Sequence, residues 1–392
     1  MKALRDAVIV AYGRTPVCKA GKGSFAGTNP LDWGVQALTG TLARVPQLDV
    51  AEIDDVVVGT ATPTNELGGN VARLLVNRAG WPESIPGQTV NRFCSSSLQT
   101  VASCAYMIMA GQAEVLVAGG IEYMSSKGPP QSMEYANRWL QEHYPAAYMP
   151  MGLTAENVAR RYGITRTEMD QMAVDSNRKA HAAQLAGGLN EAIIPIRIQT
   201  PEGEKLVTLD EGIRPGTTLE VCATLKTAFL PPEEGGSVTA ASSSQTSDGA
   251  SFVVLMSGEK AAALGLTPIG RYVSFAVAGC PADVMGIGPI YAVPKALEKA
   301  GLTLDDMDVI ELNEAFASQA IVCMRELGLP EEKVNPWGGA IALGHPMGAT
   351  GGFLLSKAMD YLRLNGGRYA LVTMCVGGGM GAAGVFEYLA GA

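Results

Sequence analysis

The chain has 392 residues, of which 47% are hydrophobic, 17% charged and 6% aromatic, and its net charge is −9. This length suits about two or three domains or one large composite fold, and the composition excludes a disordered, collagen-like or coiled-coil chain. The acidic balance lacks the basic footprint of nucleic-acid-binding proteins. No apolar run approaches the roughly 18 residues of a membrane-spanning helix. We therefore expect no nucleic-acid partner and no membrane span.

The cysteine and histidine content argues against a bound metal. Seven cysteines are scattered without a Cys-x-x-Cys pair, and only three histidines are present. We therefore expect reduced thiols and no structural zinc. The first residues form one short apolar run without a signal-peptide cleavage site, so a cytoplasmic enzyme is the default prediction.

Short β-branched runs alternate with helix-like segments, which predicts an α/β architecture. In chain order, the predicted strands are Ala7–Ala11, Asp55–Val58, Glu114–Ala118, Phe252–Met256, Arg271–Ala278, Asp308–Leu312, Tyr369–Met374 and Gly384–Tyr388. The predicted helices are Leu31–Leu42, Ser95–Ala110, Thr154–Arg161, Arg166–Leu185, Ala292–Ala300, Glu314–Leu327 and Ala349–Leu364.

Two segments repeat at nearly one spacing. Ile53–Val57 matches Met307–Glu311 at an offset of 254 residues, and Val115–Ala118 matches Ala370–Thr373 at an offset of 255, which predicts a duplicated α/β half. The stretch from about 120 to 250 has no counterpart and predicts an inserted lobe that covers a site. The predicted units are a first half (1–119 and 251–270), an inserted loop domain (120–250) and a second half (271–392).

Residues 88–99 contain the run Asn-Arg-Phe-Cys-Ser-Ser-Ser, in which Cys94 lies between an extended segment and a predicted helix. A helix N-terminus, which these serines can cap, favours a thiolate because its dipole and unpaired N–H groups stabilise negative charge. Such a turn suits the nucleophile of a covalent acyl transfer. The alternative is a thiol packed in the core, as most cysteines are.

His345 lies within residues 337–352, where glycines flank it and Pro346 fixes the chain after it. Glycine lets the backbone approach a ligand closely. An imidazole in such a loop is suited to accept a thiol proton or to donate to an oxyanion. Packing is one alternative, and a phosphate-binding loop is another, but the Walker pattern and its lysine are absent.

Residues 373–381 form a strand end, a second thiol at Cys375 and a glycine turn. The turn leaves the backbone N–H of Gly377 available for an oxyanion hole built from the main chain. A dinucleotide-binding turn is disfavoured because a strand, and not a helix, follows it.

Asn313 lies at a predicted strand-to-helix boundary within Glu311–Ala317. Two interpretations stay open there, because asparagine caps helices and also orients waters and carbonyl groups. Loops at the carboxyl ends of strands are where α/β folds place their sites. The two thiols, the histidine and the asparagine therefore indicate one active site.

These segments resemble those of the thiolase family. Asn91–Ser97 is similar to the family's nucleophile segment, Asn313–Phe316 and Gly344–Gly352 to two further active-site blocks, and Cys375–Gly381 to its closing cysteine block. The resemblance covers essentially the whole chain. It implies an acyltransferase with two βαβαβαββ halves in a layered αβαβα core. It also implies a loop domain, inserted in the first half, that binds coenzyme A (CoA).

The resemblance further implies thiolytic cleavage of 3-oxoacyl-CoA, a step of fatty-acid β-oxidation that also runs in reverse as a condensation. Cys94, activated by His345, would carry the acyl group, and Cys375 would move protons. The N–H groups of Cys94 and Gly377 would form one oxyanion hole. His345 and a water held by Asn313 would form the other.

By the same resemblance CoA is a substrate, and no tightly bound cofactor or metal is implied. Arg214 is expected at the adenine end, Phe229 and Ser244 along the pantetheine, and Met151 and Phe316 against the substrate. The alternatives are that Phe229 is plain core and Arg214 a solvated charge. The family also implies a homodimer or homotetramer, and a β-oxidation partner subunit stays open.

The chain departs from the family pattern at Ser97 and at Ala241-Ser242, which leaves the shape of the pantetheine tunnel open. Residues 148–152 favour the degradative 3-ketoacyl-CoA type over the biosynthetic acetoacetyl-CoA type, which usually has a His-Met pair there.

Three other functions compete with this interpretation. A papain-like hydrolase also uses Cys, His and Asn, but it has no role for a second thiol and no duplicated halves. A decarboxylating ketosynthase shares the acylated cysteine, yet the closing cysteine block favours a thiolase. A non-catalytic acyl-CoA or sterol carrier is disfavoured because both thiols and the histidine are intact.

Overall fold

A computed structural model describes residues 4–127, 136–201 and 203–389. The predicted halves and inserted lobe each include residues that lie outside this described part, namely 1–3, 128–135, 202 and 390–392. The described strands are β1 (Ala7–Arg14), β2 (Cys18–Lys19), β3 (Asp55–Gly59), β4 (Gly87–Val90), β5 (Val115–Tyr123), β6 (Ile196–Thr200), β7 (Gly203–Val207), β8 (Ser247–Ser257), β9 (Gly270–Gly279), β10 (Val309–Leu312), β11 (Tyr369–Val376) and β12 (Met380–Tyr388).

The described helices match the predicted ones closely where the apolar periodicity is strong. They are α1 (Pro30–Leu42), α2 (Val71–Arg78), α3 (Ser96–Met109), α4 (Arg138–His143), α5 (Met151–Tyr162), α6 (Arg166–Leu185), α7 (Leu219–Ala223), α8 (Gly258–Ala263), α9 (Gly288–Ala300), α10 (Ala317–Leu327), α11 (Ala340–Leu343) and α12 (Thr350–Asn365). The predicted start of α10 at Glu314 is wrong, because the chain stays extended through Phe316 before the helix begins.

One large sheet runs through the molecule in the order β10-β11-β12-β9-β1-β8-β5-β3-β4, and β2 pairs with β8. The first-half and second-half strands meet where β1 and β9 pair antiparallel over two residues, Val8 with Arg271 and Ile9 with Gly270. Strands β6 and β7 form a separate hairpin in the lobe. Strand β5 extends to Tyr123 and β8 begins at Ser247, so both strands reach into the predicted lobe.

Hydrophobic clusters define five layers. Helices α1 and α2 cover the outer face of the first-half strands, and α9 and α10 cover the outer face of the second-half strands. Helices α3 and α12 lie between the two sets of strands in a cluster that joins both halves. Side chains alternate across a strand, so Val8 and Val10 face α1 while Ala7 and Ile9 face the central helices. The predicted αβαβα core is confirmed.

The strand register shows the internal repeat. Asp55 pairs with Leu116 in the first half, and Val309 pairs with Ala370 in the second, so both strands repeat at an offset of 254 residues. The offset of 255 predicted for the second strand pair is wrong by one residue.

A pair of acidic residues repeats with it. Asp54 Oδ2 accepts the backbone N–H groups of Glu114 and Val115 at 2.7 and 3.1 Å. Asp308 Oδ2 accepts those of Arg368 and Tyr369 at 2.6 and 3.0 Å. The duplicated halves therefore share a loop contact as well as a strand order.

Helices α3 and α12 approach each other closely at their N-terminal ends. A Cβ at Gly351 would collide with the backbone of Leu98, and Gly352 donates its N–H to the Ser97 hydroxyl at 3.0 Å. Ser97, which departs from the family pattern, thus lies in this helix contact. The contact brings the loops before the two helices together, and these loops carry Cys94 and His345.

Candidate active site

Cys94 lies in a tight turn between β4 and α3. The residue before it, Phe93, has a φ of 43°, in the left-handed region that a bulky residue rarely adopts. Its N–H donates to Asn91 Oδ1 at 2.8 Å, and Asn91 Nδ2 donates to the carbonyl of Ala61 at 3.1 Å. The Ser96 hydroxyl donates to the Phe93 carbonyl at 2.7 Å. Strain of this kind persists only where the surroundings enforce it, as they do at functional sites.

The serines do not cap α3 as predicted. The N-cap residue is Ser95, and its side chain makes no capping hydrogen bond. The Ser96 hydroxyl instead accepts the backbone N–H of Arg92 at 2.9 Å, so it stabilises the turn that carries Cys94.

The predicted thiolate at Cys94 is wrong for the resting protein. Burial raises the pKa of this thiol to about 11, although the backbone N–H groups of Gly377 and of Cys94 itself hydrogen-bond to the sulfur and oppose the rise. Desolvation disfavours the charged form, and about one thiol in ten thousand is ionised at pH 7 with such a pKa. Nucleophilic attack therefore requires a neighbouring base that removes the proton.

His345 is a neutral imidazole beside this turn. Burial lowers its pKa to about 4, so the ring is uncharged at neutral pH. Its Nδ1 lies 2.7 Å from the Thr350 hydroxyl, which donates its own proton to the Pro346 carbonyl at 3.0 Å. The hydroxyl must then accept from Nδ1–H, and this leaves Nε2 as the proton acceptor.

Asn313 faces this acceptor nitrogen. Its Nδ2 lies 3.4 Å from His345 Nε2, and its buried Oδ1 makes no hydrogen bond to the described residues. The helix-cap interpretation is wrong, because α10 begins four residues later. The preceding Leu312 is held by Asn335, whose side chain bonds its N–H and carbonyl at 3.0 and 2.7 Å. The amide is therefore fixed by its backbone and directed into the site.

Cys375 is fully buried at the end of β11. Burial raises the pKa of this thiol well above its ordinary value, and interaction with the Cys94 thiol raises it further. The Cys94 thiol thus affects the ionisation of Cys375, and both thiols are protonated at rest. Gly377 follows, and the ring of Phe93 lies against it, since a Cβ at Gly377 would be 3.5 Å from that ring.

Several predicted CoA contacts come together beside the site. The rings of Phe229 and Phe316 meet edge to face with centroids 5.9 Å apart. Phe229 is 40% exposed, so it is not plain core. A Cβ at Gly152, next to Met151, would collide with the Phe229 ring. Ser244 donates its backbone N–H to the Ala315 carbonyl at 2.9 Å, which places it next to the Asn313 segment.

Arg214 lies on a different segment of the lobe. Its backbone N–H donates to Asn177 Oδ1 of α6 at 2.8 Å, and its side chain is exposed. The pKa of Lys19 is lowered by burial and by the charges of Arg214 and Lys22, so these three cations lie near one another. An exposed basic group of this kind suits a phosphate-rich ligand.

Sequence reasoning missed two residues that organise the site. Thr350, inside the glycine-rich His345 segment, sets the tautomer of the imidazole. Glu122, at the buried end of β5, accepts the Gly348 N–H at 2.7 Å. The sequence signal for Glu122 was a carboxylate within the apolar run Val-Leu-Val-Ala-Gly-Gly-Ile-Glu-Tyr. A charged residue is rarely buried without partners, so its position indicated a buried hydrogen-bond network.

No group of three or more His, Cys, Asp or Glu side chains in the described part of the chain is arranged to hold a metal ion. No helix there is long and apolar enough to cross a membrane.

Comparison with known proteins bears on this site as a whole. The family model for the thiolase N-terminal domain matches residues 7–259, and the model for the thiolase C-terminal domain matches residues 266–388. A 3-ketoacyl-CoA thiolase of Bacillus subtilis is 48% identical over 98% of this chain and all of its own length. A human peroxisomal 3-ketoacyl-CoA thiolase is 45% identical over 98% of this chain and 91% of its own.

Solved structures agree with the fold. Human mitochondrial 3-ketoacyl-CoA thiolase superposes with a TM-score of 0.91 at 34% identity, covering 99% of this chain and all of the other. The dimeric peroxisomal thiolase of Saccharomyces cerevisiae gives 0.91 at 36% identity and 99% coverage of both chains. An acetyl-CoA acetyltransferase of Bacillus anthracis gives 0.90 at 36%, covering 99% of this chain and all of the other. On this sequence, fold and site, the chain belongs to the thiolase family, a family of acyltransferase enzymes.

Proposed function

We propose that the protein cleaves 3-oxoacyl-CoA with CoA, giving acetyl-CoA and an acyl-CoA that is two carbons shorter. In the first half-reaction, His345 Nε2 takes the proton of Cys94, and the thiolate attacks the C3 carbonyl. The C2–C3 bond breaks, and its electron pair forms the enolate of acetyl-CoA. Cys375 then protonates C2, and acetyl-CoA leaves.

The second half-reaction restores every group. The Cys375 thiolate takes the proton of the incoming CoA thiol, and the CoA thiolate attacks the acyl group on Cys94. The shortened acyl-CoA leaves as the Cys94 sulfur regains a proton from His345. Each step is reversible, so the same site condenses two acyl-CoA molecules where their concentrations favour that direction.

Two oxyanions form during this cycle and need different donors. The N–H groups of Cys94 and Gly377 are close enough to the nucleophile sulfur to lower its pKa, and the oxygen of an acyl group on that sulfur would develop charge near them. The enolate oxygen would be stabilised by His345 and by a water bound to Asn313 Oδ1. The unpaired amide oxygen supports this, because a buried acceptor without a partner is costly.

The observation that carries the proposal is the combination of two buried, protonated thiols with one neutral histidine. A hydrolase or a carrier needs no second thiol, whereas a thiol-to-thiol acyl transfer needs a nucleophile and a separate proton shuttle. The Phe229–Phe316 surface and the basic Arg214 region support CoA as the substrate. We propose no tightly bound cofactor.

The degradative direction is supported by the names of the relatives, which are 3-ketoacyl-CoA thiolases at 48% and 45% identity. The test is CoA-dependent cleavage of 3-oxoacyl-CoAs from C4 to C16. Cys94→Ala should lose all cleavage and all covalent acyl adduct, detected by intact-protein mass spectrometry. Cys104→Ala, which removes a buried thiol elsewhere on α3, is the matched control and should retain both. Activity confined to acetoacetyl-CoA would indicate the biosynthetic type, and none at any length would support the carrier.

We further propose a homodimer in the cytoplasm. Dimerisation is supported by the dimeric yeast thiolase among the similar structures, and light scattering on the purified protein tests it against a tetramer. Several relatives are peroxisomal, so fractionation of the source cells must decide the compartment. Copurification tests for a β-oxidation partner subunit.

A further inference from the structure

Glu122 is a fully buried carboxylate that the proposed mechanism does not use. Its Oε2 accepts the backbone N–H groups of Ala61 at 2.8 Å and of Gly348 at 2.7 Å. Its Oε1 accepts the N–H of Thr62 at 3.1 Å and the hydroxyls of Thr60, at 3.3 Å, and Thr62. Three of these partners are backbone donors, whose hydrogen bonds favour the ionised carboxylate and oppose the rise that burial causes in the pKa of Glu122.

These donors belong to two separate loops. Residues 60–62 follow β3 and hold the nucleophile turn, because the Ala61 carbonyl accepts from Asn91 and Asn91 in turn accepts from the strained Phe93. Gly348 belongs to the other loop, three residues after His345. One carboxylate therefore joins the loop that supports the nucleophile to the loop that carries the base.

The fit at this junction leaves no space. A Cβ at Gly348 would lie 2.6 Å from the Thr60 Cα and 2.8 Å from Glu122 Oε2, closer than real Cβ atoms come. A glycine N–H thus reaches the carboxylate where any other residue would force the loops apart. The distance between the two loops is set by the length of the glutamate side chain.

The negative charge of Glu122 also acts on the nucleophile. It opposes ionisation of the Cys94 thiol, in the same direction as burial. The other ionisable groups that face this region are Cys375 from β11, which is protonated, His345, which is neutral, and Asp248 from β8, which interacts with Glu122 itself. Among the carboxylates of the described residues, Glu122 is the one whose charge acts on the Cys94 thiol.

We propose that Glu122 is a positioning residue that clamps the Cys94 and His345 loops at their working separation, and that its charge acts on the Cys94 thiol. This rests on the proposed thiolase function for its effect on turnover. Its effect on the thiol does not depend on that function. Removing the charge alone should lower kcat, because the clamp loosens, and should speed alkylation of Cys94, because its thiol ionises more easily.

The test compares two substitutions with thiolysis and iodoacetamide alkylation as readouts. Glu122→Gln keeps the length but puts an amide opposite backbone donors, so kcat should fall by at least tenfold. Alkylation of Cys94 below pH 9 should become faster, by about tenfold if the thiol pKa falls by one unit. Glu122→Asp keeps the charge but is one methylene shorter. It should lower kcat while leaving the pH profile of alkylation unchanged.

The matched control is Asp248→Asn. Asp248 is also a buried carboxylate and accepts from the N–H and hydroxyl of Ser125, but it bonds neither loop. It should lose stability without changing the alkylation profile. If Glu122→Gln does not fold, Thr62→Val removes a single hydroxyl donor from Oε1 and should lower kcat less, with the melting temperature nearly retained.

The outcomes separate this inference from the proposed function. A wild-type protein without thiolysis would reject the function, and the alkylation profiles would still test the clamp. Slower or unchanged alkylation in Glu122→Gln, or wild-type kcat in both Glu122 variants, would overturn the inference. Equal alkylation shifts in Asp248→Asn would show that general loosening, and not the Glu122 charge, changes the thiol.

Discussion

The first half of the chain places Cys94 in the turn before α3, and 254 residues later the second half places Gly348 in the turn before α12. The scaffold around these positions is the same in both halves. The strands pair in the same register, and an aspartate in each half accepts two backbone N–H groups at the start of the neighbouring strand. The side chains with acid, base or nucleophilic chemistry differ. In the proposed mechanism the first half supplies the nucleophile, beside the Glu122 carboxylate, and the second supplies the base, the amide and the second thiol.

Duplication thus produced two similar frames of strands and helices, one in each half of the chain. The side chains of the candidate site come from both frames. The proposed mechanism needs a loop from each half, because a thiol with a pKa near 11 needs a base and the neutral imidazole is able to accept its proton. The two frames meet at the Gly348–Glu122 hydrogen bond, where the second half has a glycine without a side chain and the carboxylate on β5 occupies the space. Exchanging or removing equivalent residues in the two halves tests this division.

The largest effect is expected from the two thiols. Cys94→Ser should abolish acyl-enzyme formation, whereas Cys375→Ser should still accept an acyl group from an acyl-CoA donor. Its kcat for thiolysis should fall by about 10²–10⁴, the usual contribution of a general acid or base. Stopped-flow acylation and steady-state thiolysis measure the two steps separately. Equal loss of acylation in both variants would show that the thiols do not have different roles.

A buried ion pair distinguishes the second half. Lys357 lies 2.8 Å from Glu311 and also donates to the Gly338 carbonyl, whereas the equivalent positions in the first half are Val57 and Ser103. Burial raises the pKa of Glu311 to about 7, and Lys357 opposes the rise. Because this pKa lies above the ordinary value near 4.5, the protonated acid favours the folded state, and its contribution is lost as pH rises through 7.

Lys357→Met should therefore destabilise the protein by an amount that grows with pH. The free energy of unfolding should fall by about 3 kcal/mol at pH 8, where the buried acid has lost the charge that favours its ionisation, and by less at pH 5, where it is protonated with or without Lys357. Urea unfolding at the two pH values measures the difference. Adding Glu311→Leu, which imitates the apolar first half, should restore most of the stability. A loss independent of pH would contradict the assignment.

The sequence predicts the frame well and the site only in part. Strands such as Tyr369–Val376 and helices such as Arg166–Leu185 follow from apolar periodicity, which is a local property. Edge strand β4 was missed because Gly-Gln-Thr-Val is short, polar and half-exposed. The four chemical side chains were identifiable from residue type and local context, because Cys94 and Asn313 stand between a predicted strand and a predicted helix, and His345 and Cys375 stand in glycine-rich segments.

The protonation states and the clamp were not predictable. A helix N-terminus lowers a thiol pKa, but burial outweighs it at Cys94, and burial is a tertiary property. Glu122 and Thr350 act through partners that are distant in sequence or are backbone atoms, so residue type alone does not identify them. The Arg214 role and the domain boundaries stay predictions.

Equivalent hydroxyls at the start of the two central helices give a smaller effect. Ser96 and Thr350 are 254 residues apart, and each donates to a backbone carbonyl in the turn before its helix. Only Thr350 also accepts from an imidazole. Thr350→Val should lower kcat by about tenfold, by loosening the Nδ1–H tautomer, with the KM for CoA unchanged. A KM increase with normal kcat would indicate a role in binding.

The smallest expected effect is a loss of stability that should be equal in the two halves. Asp54 and Asp308 are both exposed, and each accepts two backbone N–H groups of the strand beside it. Asp54→Asn and Asp308→Asn should each lower the free energy of unfolding by about 1 kcal/mol, because a charge-assisted hydrogen bond becomes a neutral one near solvent. Urea unfolding should give matching losses, and thiolysis should be normal in both. Additive losses in the double variant would show that the two frames are stabilised independently. A loss of thiolysis in one variant alone would mean that the aspartate loop of that half contributes to activity.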